Sequence, residues 1–136
     1  MCAKRQVPSA PPKVLVVEDE PAVAKMLRIS LRAAGFDVAE AIAGGQALRI
    51  LEQEPTDVVI LDLELPDCRG KAVLDRLRQA DDSGFPVWVV ISVLDREEAA
   101  GRYGPLGGHF VAKPFDPWDL VRMLKMLLSE RNGGQQ

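Results

Sequence analysis

Four consecutive large aliphatic side chains, Val58 to Leu61, end in a carboxylate, Asp62. A run without a polar face needs apolar cover on both sides, and a parallel sheet between two layers of helices supplies it. The first polar residue after such a run is forced out at the strand's carboxyl end, the edge where an open α/β sheet forms its crevices. The pattern recurs in Val87-Trp88-Val89-Val90-Ile91, which ends in Ser92, and in Val14-Leu15-Val16-Val17, which ends in Glu18, Asp19 and Glu20.

Helix signals separate these runs. Pro21 stands where a first turn tolerates proline, and Val23, Met26, Leu27, Ser30, Leu31 and Ala34 follow at helical spacing up to Gly35, a good C-cap. Asp37 to Ile42 alternates polar and apolar, as a half-exposed edge strand does. Gln46 to Gln53 predicts a second helix, which Pro55 stops, and Ala72, Val73, Leu74 and Leu77 belong to a third after Gly70. Asp95 to Leu106 contains Gly101, Gly104 and Pro105, so this helix is expected to be short and labile. Phe110-Val111-Ala112 is a last strand leading into Lys113-Pro114. The final helix opens with Asp116 as N-cap, Pro117 at N1 and Asp119 at N3, and carries Leu120, Val121, Met123, Leu124, Leu127 and Leu128. Trp88 and Trp118 are expected to pack in the core and between helices.

Five β–α units with short connections predict a flavodoxin-like (βα)5 three-layer sandwich, a five-stranded parallel sheet with helices on both faces. The first, third and fourth strands read as fully buried and the second and fifth as edges, which fits strand order 2-1-3-4-5. One such domain accounts for residues 13–130. Residues 1–12, with three prolines, are expected to be a disordered leader, and 131–136 a flexible tail.

Composition limits the classes of function. Seventeen basic against twenty acidic residues give a net charge of −3, which argues against direct nucleic-acid binding, because that needs clustered Lys and Arg. Cys2 and Cys68 make no disulfide framework, and a reducing, cytoplasmic compartment is the plain reading. No stretch approaches the roughly 20 apolar residues that span a bilayer, so no membrane association is expected.

Strand order 2-1-3-4-5 puts its crevice between the first and third strands, where Glu18, Asp19 and Asp62 meet. Two unit charges about 4 Å apart repel by about 1 kcal/mol in water and roughly 4 kcal/mol at an effective dielectric of 20. Such a cluster invites a hard divalent cation, Mg²⁺ or Mn²⁺, held by carboxylates, waters and a phosphate oxygen. Lys113 adds an ammonium suited to an oxyanion, and Ser92 a neutral hydroxyl. A carboxylate nucleophile, a metal pair, a hydroxyl and an ammonium are what an aspartyl phosphate needs.

At these residues the chain resembles a family. Val-Glu-Asp-Glu-Pro (17–21), Leu-Asp-Leu-Glu-Leu-Pro (61–66) with Gly70, Ile-Ser (91–92) and Lys-Pro-Phe (113–115) resemble the receiver domain of two-component response regulators, over about residues 13–130. The resemblance implies that Asp62 accepts a phosphoryl group from a histidine kinase or histidine phosphotransfer protein. It implies that Glu18, Asp19, Asp62 and the backbone carbonyl of Glu64 hold Mg²⁺, and that Ser92 and Lys113 contact the phosphoryl oxygens. The Lys113–Pro114 bond would be cis, and Phe110 would swing inward as Ser92 follows the phosphoryl group. The domain would support its own phosphorylation and dephosphorylation and would otherwise not be an enzyme. Val93 departs from the small residue usual after the hydroxyl, Glu64 and Leu94 stand where dephosphorylation is tuned, and Gly101 to Gly108 is atypical of the fourth helix.

Two other functions compete at this stage. A receiver-like scaffold would bind proteins without phosphorylation. Asp62-Leu63-Glu64 also superficially resembles the Asp-x-Asp signature of haloacid-dehalogenase-type phosphatases, although there the nucleophile follows the first strand. Output is expected through a downstream effector protein or a fused output domain, since too little chain follows the last helix for an effector domain. The broad apolar face of that helix, with Met123, Met126 and Leu127, adds the expectation of a homodimer through the fourth-helix to fifth-helix face.

Overall fold

The computed structural model describes residues 11–67, 69–80, 86–106 and 109–134. The expected leader therefore lies almost wholly outside the described residues, as does Cys68. Five strands, β1 (Lys13–Val17), β2 (Asp37–Ala41), β3 (Val58–Asp62), β4 (Val87–Ser92) and β5 (Phe110–Ala112), alternate with five helices. The helices are α1 (Pro21–Ala33), α2 (Gly44–Gln53), α3 (Gly70–Gln79), α4 (Arg96–Tyr103) and α5 (Pro117–Gly134). All strand pairs are parallel and the sheet order is β2-β1-β3-β4-β5.

Alternation along the strands divides the core in two. Leu15, Val17, Val59, Leu61, Trp88 and Val90 face α2, α3 and α4 and pack against Ala47, Val73, Leu74, Leu77 and Ala99. Val14, Val16, Val58, Ile60, Val87, Val89 and Ile91 face α1 and α5 and pack against Leu27, Leu31, Leu120, Val121 and Leu124. Every residue of β3 and β4 is buried, whereas β2 and β5 are only partly covered. Continuous apolar runs thus became the interior of the sheet and alternating or short ones its edges. Each fully buried aliphatic side chain contributes about 1.5–3 kcal/mol before entropy is counted.

The ends of the helices show which local signals were used. At the end of α1, Phe36 N–H donates to the Leu31 carbonyl and Gly35 N–H to that of Arg32, both at 3.0 Å. This is a Schellman closure, and Gly35 takes the positive φ, +95°, that it requires. Asp116 caps α5 by accepting from Trp118 N–H at 2.8 Å. Helix α2 begins at Gly44, two residues before the expected start, because Asp67 from the loop after β3 accepts from the Gly44 and Gly45 N–H groups at 3.0 Å each.

Three expectations change. Helix α5 runs to Gly134, past the point where a tail was expected to begin, at an end where the last turn frays and the boundary is defined only to a residue or two. Trp118 is 47% exposed. It lies two residues before Leu120, rather more than half a turn away from the stripe that α5 buries. Met123 and Leu127 pack against the core, leaving Met126 as the exposed member of the supposed broad face. Among the described residues no helix is long and apolar enough to cross a membrane.

Candidate functional site

The register carries the acids to one place. Val17 pairs with Leu61 across β1 and β3, so the next residues, Glu18 and Asp62, emerge side by side at the carboxyl edge. One oxygen from each of Glu18, Asp19 and Asp62 lies within 4.8 Å of the others. Glu18 and Asp62 are buried and Asp19 is exposed, so the cluster is rooted in the sheet and open to solvent on one side. Strand β5 delivers the cation. Lys113 N–H donates to the Ser92 carbonyl at 2.9 Å, and the Lys113–Pro114 bond is cis.

The Lys113 ammonium stands 3.1 Å from Asp62 Oδ2 and 3.0 Å from Glu18 Oε1, with Glu20 Oε1 at 3.4 Å. Burial alone would lower its pKa, but the hydrogen bond with Glu18 and the charge of Asp62 outweigh burial and hold it above the usual lysine range. Glu18 responds in the opposite way. Burial, reinforced by the charge of Asp62, pushes its carboxyl up to about 7 despite the ammonium beside it. Its Oε1 is the buried polar side-chain atom that finds no hydrogen-bond donor among the described residues: the Lys113 contact is of ion-pair length but lies off the line of a hydrogen bond. A buried, acceptor-only oxygen short of donors, beside two more carboxylates, fits a hard cation. The acidic cluster can hold a metal.

The loop after β3 is fixed close to the acids. Glu64 N–H donates to Asp62 Oδ1 at 3.0 Å. Gly70 packs so tightly beneath the loop that a Cβ there would stand 2.2 Å from the Leu63 carbonyl oxygen. A cleft of about 370 Å³, lined by Asp19, Leu63, Glu64, Leu65, Pro66 and Tyr103, opens beside the cluster.

Ser92 is buried at the end of β4, as its position after an apolar run predicts. Its hydroxyl donates to the side chain of Glu64 and accepts from Leu94 N–H at 3.0 Å. Burial raises the Glu64 carboxyl above its usual range, against the hydrogen bond from Ser92. Val93 is 67% exposed, so its branched side chain stands on the surface. Phe110 is half-buried against the cluster under α2, α3 and α4, with the Arg96 guanidinium 5.8 Å over its ring.

Sequence reasoning missed three groups at or near this site. Glu20 was named only as the end of the first strand's run, yet it reaches Lys113 at 3.4 Å. The side chain of Glu64 was placed only among the positions that tune dephosphorylation, and its hydrogen bond with Ser92 was not foreseen. Arg78 donates to the Tyr103 and Pro105 carbonyls, tying the end of α4 to α3. Nothing in the local sequence signals that last contact, which spans more than twenty residues.

Known proteins share this arrangement. The family model described as response regulator receiver domain matches residues 14–125. The DNA-binding response regulator MtrA of Mycolicibacterium smegmatis is 37% identical over 116 residues, covering 85% of this chain and 50% of MtrA. The transcriptional regulatory protein PrrA of Mycobacterium tuberculosis is 34% identical over 120 residues, covering 88% of this chain and 51% of PrrA. The chain thus spans about half the length of such relatives. Among solved structures, the receiver domain of the Francisella response regulator 1452 superposes with a TM-score of 0.74 at 25% identity, covering 88% of this chain and 98% of that one. A CheY-like receiver domain protein from Methanospirillum hungatei, at 22% identity and covering 91% of this chain and 98% of its own, has the same fold with a TM-score of 0.78.

The relatives correct one expectation. Net charge argued against direct nucleic-acid binding, but MtrA is a DNA-binding regulator and its relatives act in transcription. A charge count over 136 residues describes only the surface of this chain and says nothing of proteins twice its length. The family match over residues 14–125, the 2-1-3-4-5 sheet and the acidic cluster at its crevice agree: the chain belongs to the response regulator receiver domains, the phospho-acceptor switches of two-component signalling.

Proposed function

We propose that Asp62 is the phospho-acceptor of this receiver, with Glu18, Asp19, Asp62 and the backbone carbonyl of Glu64 as the Mg²⁺ site and Lys113 and Ser92 as the phosphoryl contacts. The observation that carries this reading is the position of Asp62, buried beside the Lys113 ammonium at 3.1 Å and clustered with the acids Glu18 and Asp19. An Asp62 carboxylate oxygen attacks the phosphorus of a phosphohistidine. The new P–O bond forms as the P–N bond breaks, and the bonding pair returns to the imidazole nitrogen of the donor. Mg²⁺, when bound, would neutralise charge gathering on the phosphoryl oxygens. Lys113 supplies a fixed positive charge 3.1 Å from Asp62 and stays protonated throughout, because Glu18 and Asp62 hold its pKa high.

The receiver works in the cytoplasm, and its donor is a sensor histidine kinase or a histidine phosphotransfer protein. Ser92, which closes β4, and Phe110, which opens β5, are the switch that carries the change to the α4–β5–α5 side. That the relatives are transcriptional regulators supports a transcriptional output for this switch. Incubation with Mg²⁺ and acetyl phosphate should add one phosphoryl group by intact mass, and Asp62→Asn should remove it. No adduct, together with no response to beryllofluoride, would sink the reading.

A further inference from the structure

In this structure the proton of the Ser92 hydroxyl is already in use. Its O–H points at the Glu64 carboxylate, with Oε1 and Oε2 both at 3.0 Å, and its oxygen accepts from Leu94 N–H. One hydroxyl has a single proton to donate, so it cannot serve Glu64 and an oxygen on Asp62 at full strength together. Ser92 is fully buried, which leaves no water to take up an abandoned partner at its own end.

Glu64 is well placed to hold that proton. Its backbone is anchored to the acceptor residue through the 3.0 Å bond from its N–H to Asp62 Oδ1. Its side chain then lines the same cleft as Asp19 and returns across the crevice to the end of β4. A carboxylate receiving a buried hydroxyl presents what a phosphoryl group presents: an anionic oxygen.

We infer that the Glu64 carboxylate is an intramolecular competitor of the phosphoryl group, occupying the Ser92 hydroxyl in the resting protein and setting how readily the phosphorylated state forms. Glu64 is then a positioning residue acting through Ser92, a role distinct from the contribution of its backbone carbonyl to the metal site. The inference rests on the reading of Asp62 as acceptor, and its test separates the two.

The test is the affinity of the whole chain for beryllofluoride with Mg²⁺, followed by ¹⁹F resonances of the bound species, in four proteins: wild type, Glu64→Ala, Ser92→Ala and the double variant. With Ser92 present, Glu64→Ala should tighten binding about tenfold, the size expected for one charge-assisted hydrogen bond at a partly exposed site. In the Ser92→Ala background the gain should fall to about twofold or less, because no hydroxyl remains to be released. Glu64→Gln, which keeps the size of the side chain and a weaker acceptor, should give a smaller gain that again depends on Ser92. Equal gains in both backgrounds would mean simple charge repulsion and overturn the inference, as would no gain in either Glu64 variant. A wild type that binds beryllofluoride while Glu64→Ala binds no better defeats the competitor alone. A wild type that neither binds it nor takes a phosphoryl group from acetyl phosphate defeats the acceptor reading and the competitor with it.

Discussion

Replacing Lys113 by Met keeps most of the side chain's volume and removes the cation that faces two buried carboxylates. At 3.0 and 3.1 Å, each pair is worth about 5 kcal/mol at an effective dielectric of 20. Most of that offsets desolvation, and breaking a buried pair costs about 3–5 kcal/mol. The cluster has one means of relief, which is to keep a proton on Glu18, whose carboxyl already titrates near 7. An acid raised in the folded state favours folding at low pH, and that contribution disappears as pH rises through the folded-state value. In wild type the loss ends near pH 7. Without the ammonium the Glu18 value rises further, so the variant goes on losing stability above it by about 1.4 kcal/mol per pH unit. The penalty should therefore be smallest near pH 6 and grow by up to about 2 kcal/mol by about pH 8.5. For a domain of this size that is an extra drop in Tm of roughly 6–10 °C. Melting curves followed by circular dichroism in EDTA would show it, and added Mg²⁺ should narrow the gap by replacing the missing charge. An equal loss of Tm at both pH values, or none, would refute the view that Lys113 compensates buried carboxylates.

Two further substitutions probe the loop that carries the acceptor. Gly70→Ala would push a methyl group to 2.2 Å from the Leu63 carbonyl oxygen, so the segment beside Asp62 must shift; a Tm unchanged within a degree or so would contradict that packing, and the expected loss is about 1–3 kcal/mol. Asp67→Ala removes the acceptor for the Gly44 and Gly45 N–H groups, and amide hydrogen exchange at those two residues should speed up while that in β3 stays slow.

The fold was legible because each strand announced its place. Val58 to Leu61 and Val87 to Ile91 have no polar face and became central, while Asp37 to Ala41 alternates and became an edge. Asp62 was legible for the same reason, since an acid after a buried run has only the crevice to enter. What stayed hidden depends on contacts between distant segments. The start of α2 is set by Asp67, more than twenty residues away, so no local pattern around Gly44 could place it. The burial of Trp118 was misjudged because residue type alone was weighed, and its phase against Leu120 was not. The side chain of Glu64 was legible as a tuning position, but its bond with Ser92 joins the ends of two different strands, 28 residues apart, and no local pattern signals it.

The central claim is that Asp62 carries the phosphoryl group. An acyl phosphate is reduced by borohydride, so phosphorylation with acetyl phosphate and Mg²⁺, reduction, digestion and peptide sequencing by mass should find homoserine at position 62. Homoserine at Asp19 instead, or an unreduced Asp62 in protein that had gained a phosphoryl group, would contradict it.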